Sequence, residues 1–431
     1  MDQSIDLAKL EWIKKNQHVC ISPWTKADLM VGHKTPIVQP CCNLHPRKNY
    51  KPFSLEPIEE TKAAMLAGYL PDECYLCKRD EDKGLQSERM RYLIPYSLEE
   101  LQEFERTREL SFFAIGSKFS NLCNLGCRSC NPVSSSLWSK IYQEPATVEL
   151  ETDLSEMPEY WENLERICRE QLDNKGNKRV TFHPKGGETM VQPGFRRVLE
   201  WFIEKGYNKK LDSIIITTNF TSLQKRVLEL LDQFNQVLFD GSIDSVGKNY
   251  HYVRWPEHFT TIEKNLVTLM DLIKRNHELG YPKYIFMVTI TWSLNNIWYI
   301  NDVLDYWHNW MKTNNTEWIA IETINLYEPA YLAVDAVPAP YRKHLYDIIE
   351  TARQHPIFDN DRQQVLKSYL YHVSNALQRD DLANEQQFIT YLKKTADGDI
   401  RNNVRMKDYN KLYDLLTDEH KLILKRYYDR K

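Results

Sequence analysis

Residues 110–132 read L-S-F-F-A-I-G-S-K-F-S-N-L-C-N-L-G-C-R-S-C-N-P, and two signals follow one another there. Leu110 to Gly116 has strand character, and the loop after it carries Cys123, Cys127 and Cys130 at C-x3-C-x2-C spacing. Thiolates this close together, with nothing acidic among them, suit a soft iron or zinc centre. A loop just past a strand is also where barrel-like α/β folds hold their chemistry. The spacing by itself leaves a structural zinc site and an iron centre both open.

Outward from this loop the chain alternates. Further strand-like runs are Arg179 to His183, Ser213 to Thr218, Gln236 to Ile243, Tyr284 to Trp292 and Trp318 to Ile324. Between them Phe195, Val198, Leu199 and Phe202 recur at helical spacing after Pro193, and Phe259, Ile262, Leu266, Leu269, Met270 and Ile273 do so after Pro256. Strand–helix repeats of this kind predict parallel strands joined by crossover helices, an open α/β sheet or a partial barrel. Upstream, residues 1–104 carry Cys20, Cys41, Cys42, Cys74 and Cys77 with little sustained periodicity before the helical Ser97 to Thr107. That pattern predicts a small domain organised by a metal centre. Downstream, residues 336–431 read as helices near 340–354, 361–378, 384–394 and 408–428. The division expected is therefore 1–104, 105–335 and 336–431.

Composition narrows the function classes. The 431 residues hold 56 Lys and Arg against 60 Asp and Glu, and this balance argues against a general nucleic-acid surface, which needs clustered positive charge. No apolar stretch approaches the roughly 20 residues of a membrane span, and the opening MDQSIDLAKLEW lacks an apolar signal region. A cytoplasmic location with no membrane partner is expected. In a reducing compartment the nine cysteines are expected to be ligands or free thiols, with no disulfide framework. Cys168, alone in the helical ENLERICREQ, reads as a half-buried helix residue.

The phrase CNLGCRSCNP, followed by Ser134, Ser135, Ser136 and Trp138, resembles the radical S-adenosylmethionine superfamily, whose hallmark is C-x3-C-x2-C. Three later segments, in order, add to the likeness. Gly186-Gly187-Glu188 is similar to the family's GGE motif, with Thr189 where proline is usual. The run TTNFT (Thr217 to Thr221) resembles TNG, with Asn219 kept and Phe220 replacing glycine. GSIDS (Gly241 to Ser245) resembles S-x-D-G, which supplies Ser242 and Asp244, and Arg254 falls where relatives place an arginine near the cofactor's carboxylate. The resemblance implies a partial (β/α)6 TIM-like barrel. In it Cys123, Cys127 and Cys130 would hold a [4Fe-4S] cluster, while Gly186, Gly187, Glu188, Asn219, Ser242, Asp244 and Arg254 would bind S-adenosylmethionine. It also implies reductive cleavage to a 5′-deoxyadenosyl radical that abstracts hydrogen from substrate.

In the N-terminal region, CISPW (Cys20 to Trp24), VQPCC (Val38 to Cys42) and LPDECYLCKRDEDKGLQSER (Leu70 to Arg89) resemble the twitch module, the one-cluster relative of SPASM. Here that module precedes the barrel, and Pro36 stands where the usual turn glycine falls. The resemblance implies an auxiliary [4Fe-4S] cluster on Cys20, Cys41, Cys74 and Cys77, with Cys42 as neighbour or substitute. Without it, the C-x2-C of Cys74 and Cys77 permits a four-cysteine zinc knuckle. Relatives with such modules often oxidise or crosslink residues in peptides, so a peptide or protein side chain is the first substrate expected and a small metabolite or nucleotide the second. A reductant protein such as a flavodoxin or ferredoxin is the implied partner. The alternative from a different class is a noncatalytic, metal-stabilised binding protein on the same fold.

Overall fold

The computed structural model describes residues 7–30, 35–41, 43–44, 49–82, 87–144, 153–174, 176, 178–277, 283–326, 328–378 and 385–429. Cys42 lies outside the described residues. Among the described residues eight strands form one sheet: β1 (Lys26–Met30), β2 (Ile37–Gln39), β3 (Phe112–Lys118), β4 (Arg179–Lys185), β5 (Ser213–Thr218), β6 (Val237–Ser242), β7 (Tyr284–Trp292) and β8 (Ile321–Asn325). Their order is β2-β1-β3-β4-β5-β6-β7-β8. β1 is antiparallel to β2 and parallel to β3, and the β3–β4, β4–β5 and β7–β8 pairs are parallel. The α/β expectation therefore holds from β3 onward, and β5 and β7 match their sequence spans to the residue.

The N-terminal region departs from the simple picture of a separate cysteine-bearing body. β1 and β2 join the main sheet, with Asp28 opposite Gly116 of β3. The run K-A-D-L-M hides this role because its burial does not alternate: all five residues are buried, charged ones included. By compactness the chain falls into two units, one of residues 1–121, 147–216 and 226–237, the other of 122–146, 217–225 and 238–431. These boundaries differ from 1–104, 105–335 and 336–431, because the first strands of the sheet pack with the N-terminal segment.

In the first unit, β4 turns Phe182 toward the helix Pro193–Glu204, where its ring meets Phe202 edge-on at 4.9 Å. Ser117 of β3 likewise faces the helix Pro158–Cys168 and bonds the Tyr160 hydroxyl at 2.9 Å. Residues alternate across a strand, so Gly116, His183 and Lys185 lie on the opposite, inner face. An N-terminal cluster of Ile13, Val19, Ile21, Leu93, Leu101 and Phe104 closes this unit's second core. Ser97 and Glu100 start the helix Leu98–Thr107 with a capping box.

In the second unit, Phe259, Ile262, Leu266 and Leu269 form the buried stripe of the helix Phe259–His277, as their spacing predicts. The helices Ala339–Arg353, Gln364–Leu377 and Glu385–Arg401 follow β8. The expected helix at 408–428 is instead three pieces, Met406–Tyr409, Leu412–Leu415 and Asp418–Tyr428. Asn410 ends the first, and Thr417 caps the last through its hydroxyl. No helix among the described residues is long and apolar enough to cross a membrane.

Candidate functional site

The loop from Cys123 to Cys130 is fastened at Cys123, Asn124, Leu125, Gly126 and Arg128. Cys123 donates its N–H to Ser136 Oγ at 3.2 Å, and Ser135 Oγ donates to the Leu125 carbonyl at 2.6 Å. Gly126 N–H reaches the Trp255 carbonyl at 2.8 Å, and Arg128 N–H reaches that of Val253 at 3.0 Å. Asn219 Nδ2 donates to Asn124 Oδ1 at 2.9 Å, while Asn124 Nδ2 donates to Thr221 Oγ1 at 2.8 Å. The segments after β5 and β6 thus hold the cysteine loop after β3. Asn219, one of the residues singled out in the sequence, acts here as a buried clasp on that loop.

Arg128 supplies the strongest anchor. Its guanidinium donates to the Tyr252 carbonyl at 2.8 Å, lies 3.8 Å from the centre of the Tyr252 ring and pairs with Asp399 at 2.5 Å. Asp399 is fully buried and also accepts from Met406 N–H at 2.6 Å and Tyr428 hydroxyl at 2.5 Å. Burial opposes the arginine's charge, but the flanking tyrosines and Asp399 prevail and raise its pKa. No sequence signal paired Arg128 with a residue 271 positions away.

Phe220 completes the turn after β5. It sits at φ 62, the left-handed conformation that a glycine adopts without cost, so Phe220 keeps the backbone of the TNG-like turn. Its buried ring packs on Phe286 at 5.4 Å and Phe239 at 6.4 Å. Phe220→Gly would relieve about 1–2 kcal/mol of left-handed strain but forfeit the larger cost, about 3–5 kcal/mol, of emptying a buried aromatic site. The expected result is a net loss of about 2 kcal/mol in chemical denaturation. A gain in stability would show that the ring's packing contributes little.

Cys127 is beside a buried ion pair. Arg254 bonds Asp244 at 2.8 Å through both Nε and Nη2, and Asp244 Oδ1 also accepts from Thr291 N–H at 2.8 Å. Burial pushes the Cys127 thiol up, Arg254 pulls it down, and Cys130 and Cys123 push it up again. Cys127 therefore shares its neighbourhood with Cys123, Cys130 and the Arg254 guanidinium. Cys123 Sγ accepts from Leu125 N–H at 3.4 Å, the kind of bond that supports a ligating thiolate. Asp244 and Arg254 are each other's partner in this arrangement, which their separate motif positions did not foretell. Ser242 ends β6, half-buried.

In the first unit, the turn after β4 needs its glycines. Gly186 has φ 85 and Gly187 φ 48, and a Cβ on Gly186 would fall 2.4 Å from Lys118 Cγ and 2.8 Å from the Ser120 carbonyl. Glu188 is 1% exposed, and its Oε1 accepts from Met190 N–H at 2.9 Å as the cap of the short helix Thr189–Val191.

The N-terminal thiols also gather. Cys20 and Cys77 are buried, with Cys74 between buried and exposed. Burial pushes the Cys20 thiol up to about 12, helped by Cys77 and opposed by the Ser22 N–H. Burial likewise lifts Cys77 to about 11 and raises Cys74, on which Cys20 and Cys77 both act. Cys41 follows Pro40, whose carbonyl accepts from Ser22 Oγ, and so stands near the Cys20 segment. Arg89, 2% exposed, braces this region through Glu81 at 2.7 Å and the Val19 carbonyl at 2.8 Å. Cys168 is fully buried in its helix, away from both sets in sequence and role.

Both donor sets fit iron–sulfur groups chemically. They are sulfur-only, and burial raises the thiol pKa of Cys127 in one set and of Cys20, Cys74 and Cys77 in the other, a shift that a bound cationic centre would reverse. Among the described residues no three His, Cys, Asp or Glu side chains close into a cage for a single metal ion.

A cavity of about 370 Å³ opens beside Cys130. Trp138 and Tyr142, stacked at 4.3 Å, line it together with Asn295, Tyr331 and Leu332. Its size falls in the range of small-molecule and side-chain sites.

No family model and no curated protein matches the chain. Among solved structures it is similar to native anSMEcpe with bound AdoMet, at 20% identity over 57% of this chain and 62% of that one, with a TM-score of 0.39. The same protein with AdoMet and the Cp18Cys peptide gives 18% identity over 58% and 61%, at 0.37. Streptococcus suis SuiB bound to S-adenosylmethionine gives 14% identity over 70% and 61%, at 0.35. The chain thus spans about three fifths of the length of the solved chains it matches.

Proposed function

We propose that the chain is a radical S-adenosylmethionine enzyme whose substrate is a peptide or protein side chain. The observation that carries this reading is the clasped Cys123–Cys127–Cys130 loop, tied through Asn219 to the Thr217–Thr221 motif and through Val253 and Trp255 to the residues on either side of Arg254. Cys123, Cys127 and Cys130 would hold the reactive [4Fe-4S] cluster, and Cys20, Cys41, Cys74 and Cys77 an auxiliary one. When bound, the cluster and S-adenosylmethionine supply a 5′-deoxyadenosyl radical for hydrogen abstraction.

The chain's own residues do the rest. Gly186 and Gly187 would let backbone approach the cofactor closely, and the buried Glu188 would offer a carboxylate to its ammonium group. Arg254, held by Asp244, keeps a positive charge at Cys127. The stacked pair Trp138 and Tyr142 walls the cavity beside Cys130, where it would receive the substrate and keep water out.

Formation of 5′-deoxyadenosine by anaerobically reconstituted, reduced protein tests the reading, and its absence with intact clusters would overturn it. Reconstituted protein is expected to hold about eight irons and eight sulfides, the content of two cubanes. About four irons with one zinc would return the N-terminal cysteines to a zinc knuckle and leave the loop's assignment standing.

A further inference from the structure

Tyr250 carries a hydroxyl for which the second unit supplies no partner. The residue lies in the short helix Gly247–Val253, fully buried, and its hydroxyl makes no hydrogen bond. Its ring packs on Phe259 at 5.6 Å, a contact that phenylalanine would make equally well. Burying an unpaired hydroxyl costs free energy, and native structures hold few of them. The oxygen therefore calls for a function that the aromatic ring does not explain.

Backbone bonds fix what stands beside it. Gly126 and Arg128 donate their N–H groups to the carbonyls of Trp255 and Val253 at 2.8 and 3.0 Å, which sets Cys127 alongside Arg254. Arg254 in turn donates its N–H to the Tyr250 carbonyl at 2.8 Å, one helical turn back, so the two side chains share one side of the segment. The Arg254 guanidinium is engaged with Asp244 through Nε and Nη2, whereas the phenol is uncommitted. Burial raises the Tyr250 pKa against the pull of Arg254, and Cys127, Asp244 and Glu257 add to the rise, so the hydroxyl keeps its proton and remains a donor. A thiol is a weak acceptor for such a donor, and a ligating thiolate is a stronger one.

We propose that Tyr250 is a positioning residue that donates its O–H to the Cys127 sulfur once that sulfur ligates the loop cluster, and that this bond raises the cluster's reduction potential. The inference rests on the cluster assignment proposed above. A reduced cluster carries one more negative charge than an oxidised one, so a hydrogen bond to a ligating sulfur stabilises the reduced form more. Tyr250 thereby eases delivery of the electron on which cleavage of S-adenosylmethionine depends, without touching the reacting atoms.

The test reads a potential, so turnover does not enter it. The full chain is reconstituted anaerobically, kept free of S-adenosylmethionine and titrated against potential, with electron paramagnetic resonance following the reduced-cluster signal that Cys127→Ala lacks. In Tyr250→Phe that cluster should assemble in full, yet its reduced-to-oxidised ratio at a fixed potential should fall about tenfold, a midpoint lower by about 59 mV for one electron. Without iron, the same variant should unfold at no lower urea concentration than wild type, because the hydroxyl it loses has no partner there. Tyr369→Phe, at a buried tyrosine of the helix Gln364–Leu377, should leave the midpoint unchanged. Tyr250→Met, which also lacks the donor, takes the place of Tyr250→Phe if that variant does not fold. An unmoved midpoint in the Tyr250 variant overturns the proposal, as does an equal fall in Tyr369→Phe. A Cys127→Ala protein that keeps every cluster signal overturns the cluster assignment instead.

Discussion

Asp399→Ala is expected to cost about 3–5 kcal/mol of stability, because it strands Arg128 as a buried charge without its partner. Asp399 is fully buried and accepts three bonds, from Arg128, Met406 and Tyr428, so alanine empties three donors at once. The damage should reach the cysteine loop, since Arg128 lies between Cys127 and Cys130 and bridges to the Tyr252 carbonyl. Urea unfolding of the purified variant, read alongside iron content after reconstitution, measures both effects. Asp399→Asn keeps the shape but not the charge and should fall between wild type and alanine. An unchanged unfolding midpoint for Asp399→Ala would mean that the Tyr252 carbonyl and ring hold Arg128 unaided. The prediction also gives the helical C-terminal region a role: its helix Glu385–Arg401 carries the counter-charge of the loop.

The parts of this arrangement that sequence could show are those fixed by local periodicity or by chemistry at short spacing. β5 and β7 alternate or run apolar between turn residues, so their ends are readable to the residue. The three loop cysteines are readable because their ligand chemistry is written in spacing alone. What escaped was set by distant partners. Lys26 and Asp28 look like ordinary surface charges, yet they lie buried in a sheet because Gly116 and Lys185 receive them. Arg128 and Asp399 are joined only by folding. Phe220 read as a departure from a glycine turn, while the structure has it in the glycine conformation, its strain offset by aromatic packing. Asp244 and Arg254 were separate motif positions until the fold paired them.

Cys127→Ala is expected to abolish 5′-deoxyadenosine formation while leaving the N-terminal iron in place. Cys127 is the thiol on which both other loop cysteines and Arg254 act, and under the function proposed above its loss removes one of the three thiolates that would hold the reactive cluster. The N-terminal set draws its thiols from its own segments, with Cys77 acting on Cys20 and both of these on Cys74. About four of about eight irons should therefore remain, one cubane of two. Cys74→Ala is the reciprocal measurement: it should also lose about four irons, yet keep cleaving S-adenosylmethionine at least in part. Alanine at either position removes one sulfur and buries no charge, so folding should survive, and circular dichroism checks that it does. Arg254 provides a graded third point. None of the bonds that fasten the loop, nor the 2.8 Å pair of Arg254 with Asp244, uses the Cys127 thiol, so the loop should keep its fold in this variant. Full product formation by Cys127→Ala would place the radical chemistry elsewhere in the chain, and loss of all iron in both variants would mean that the two cysteine sets assemble as one.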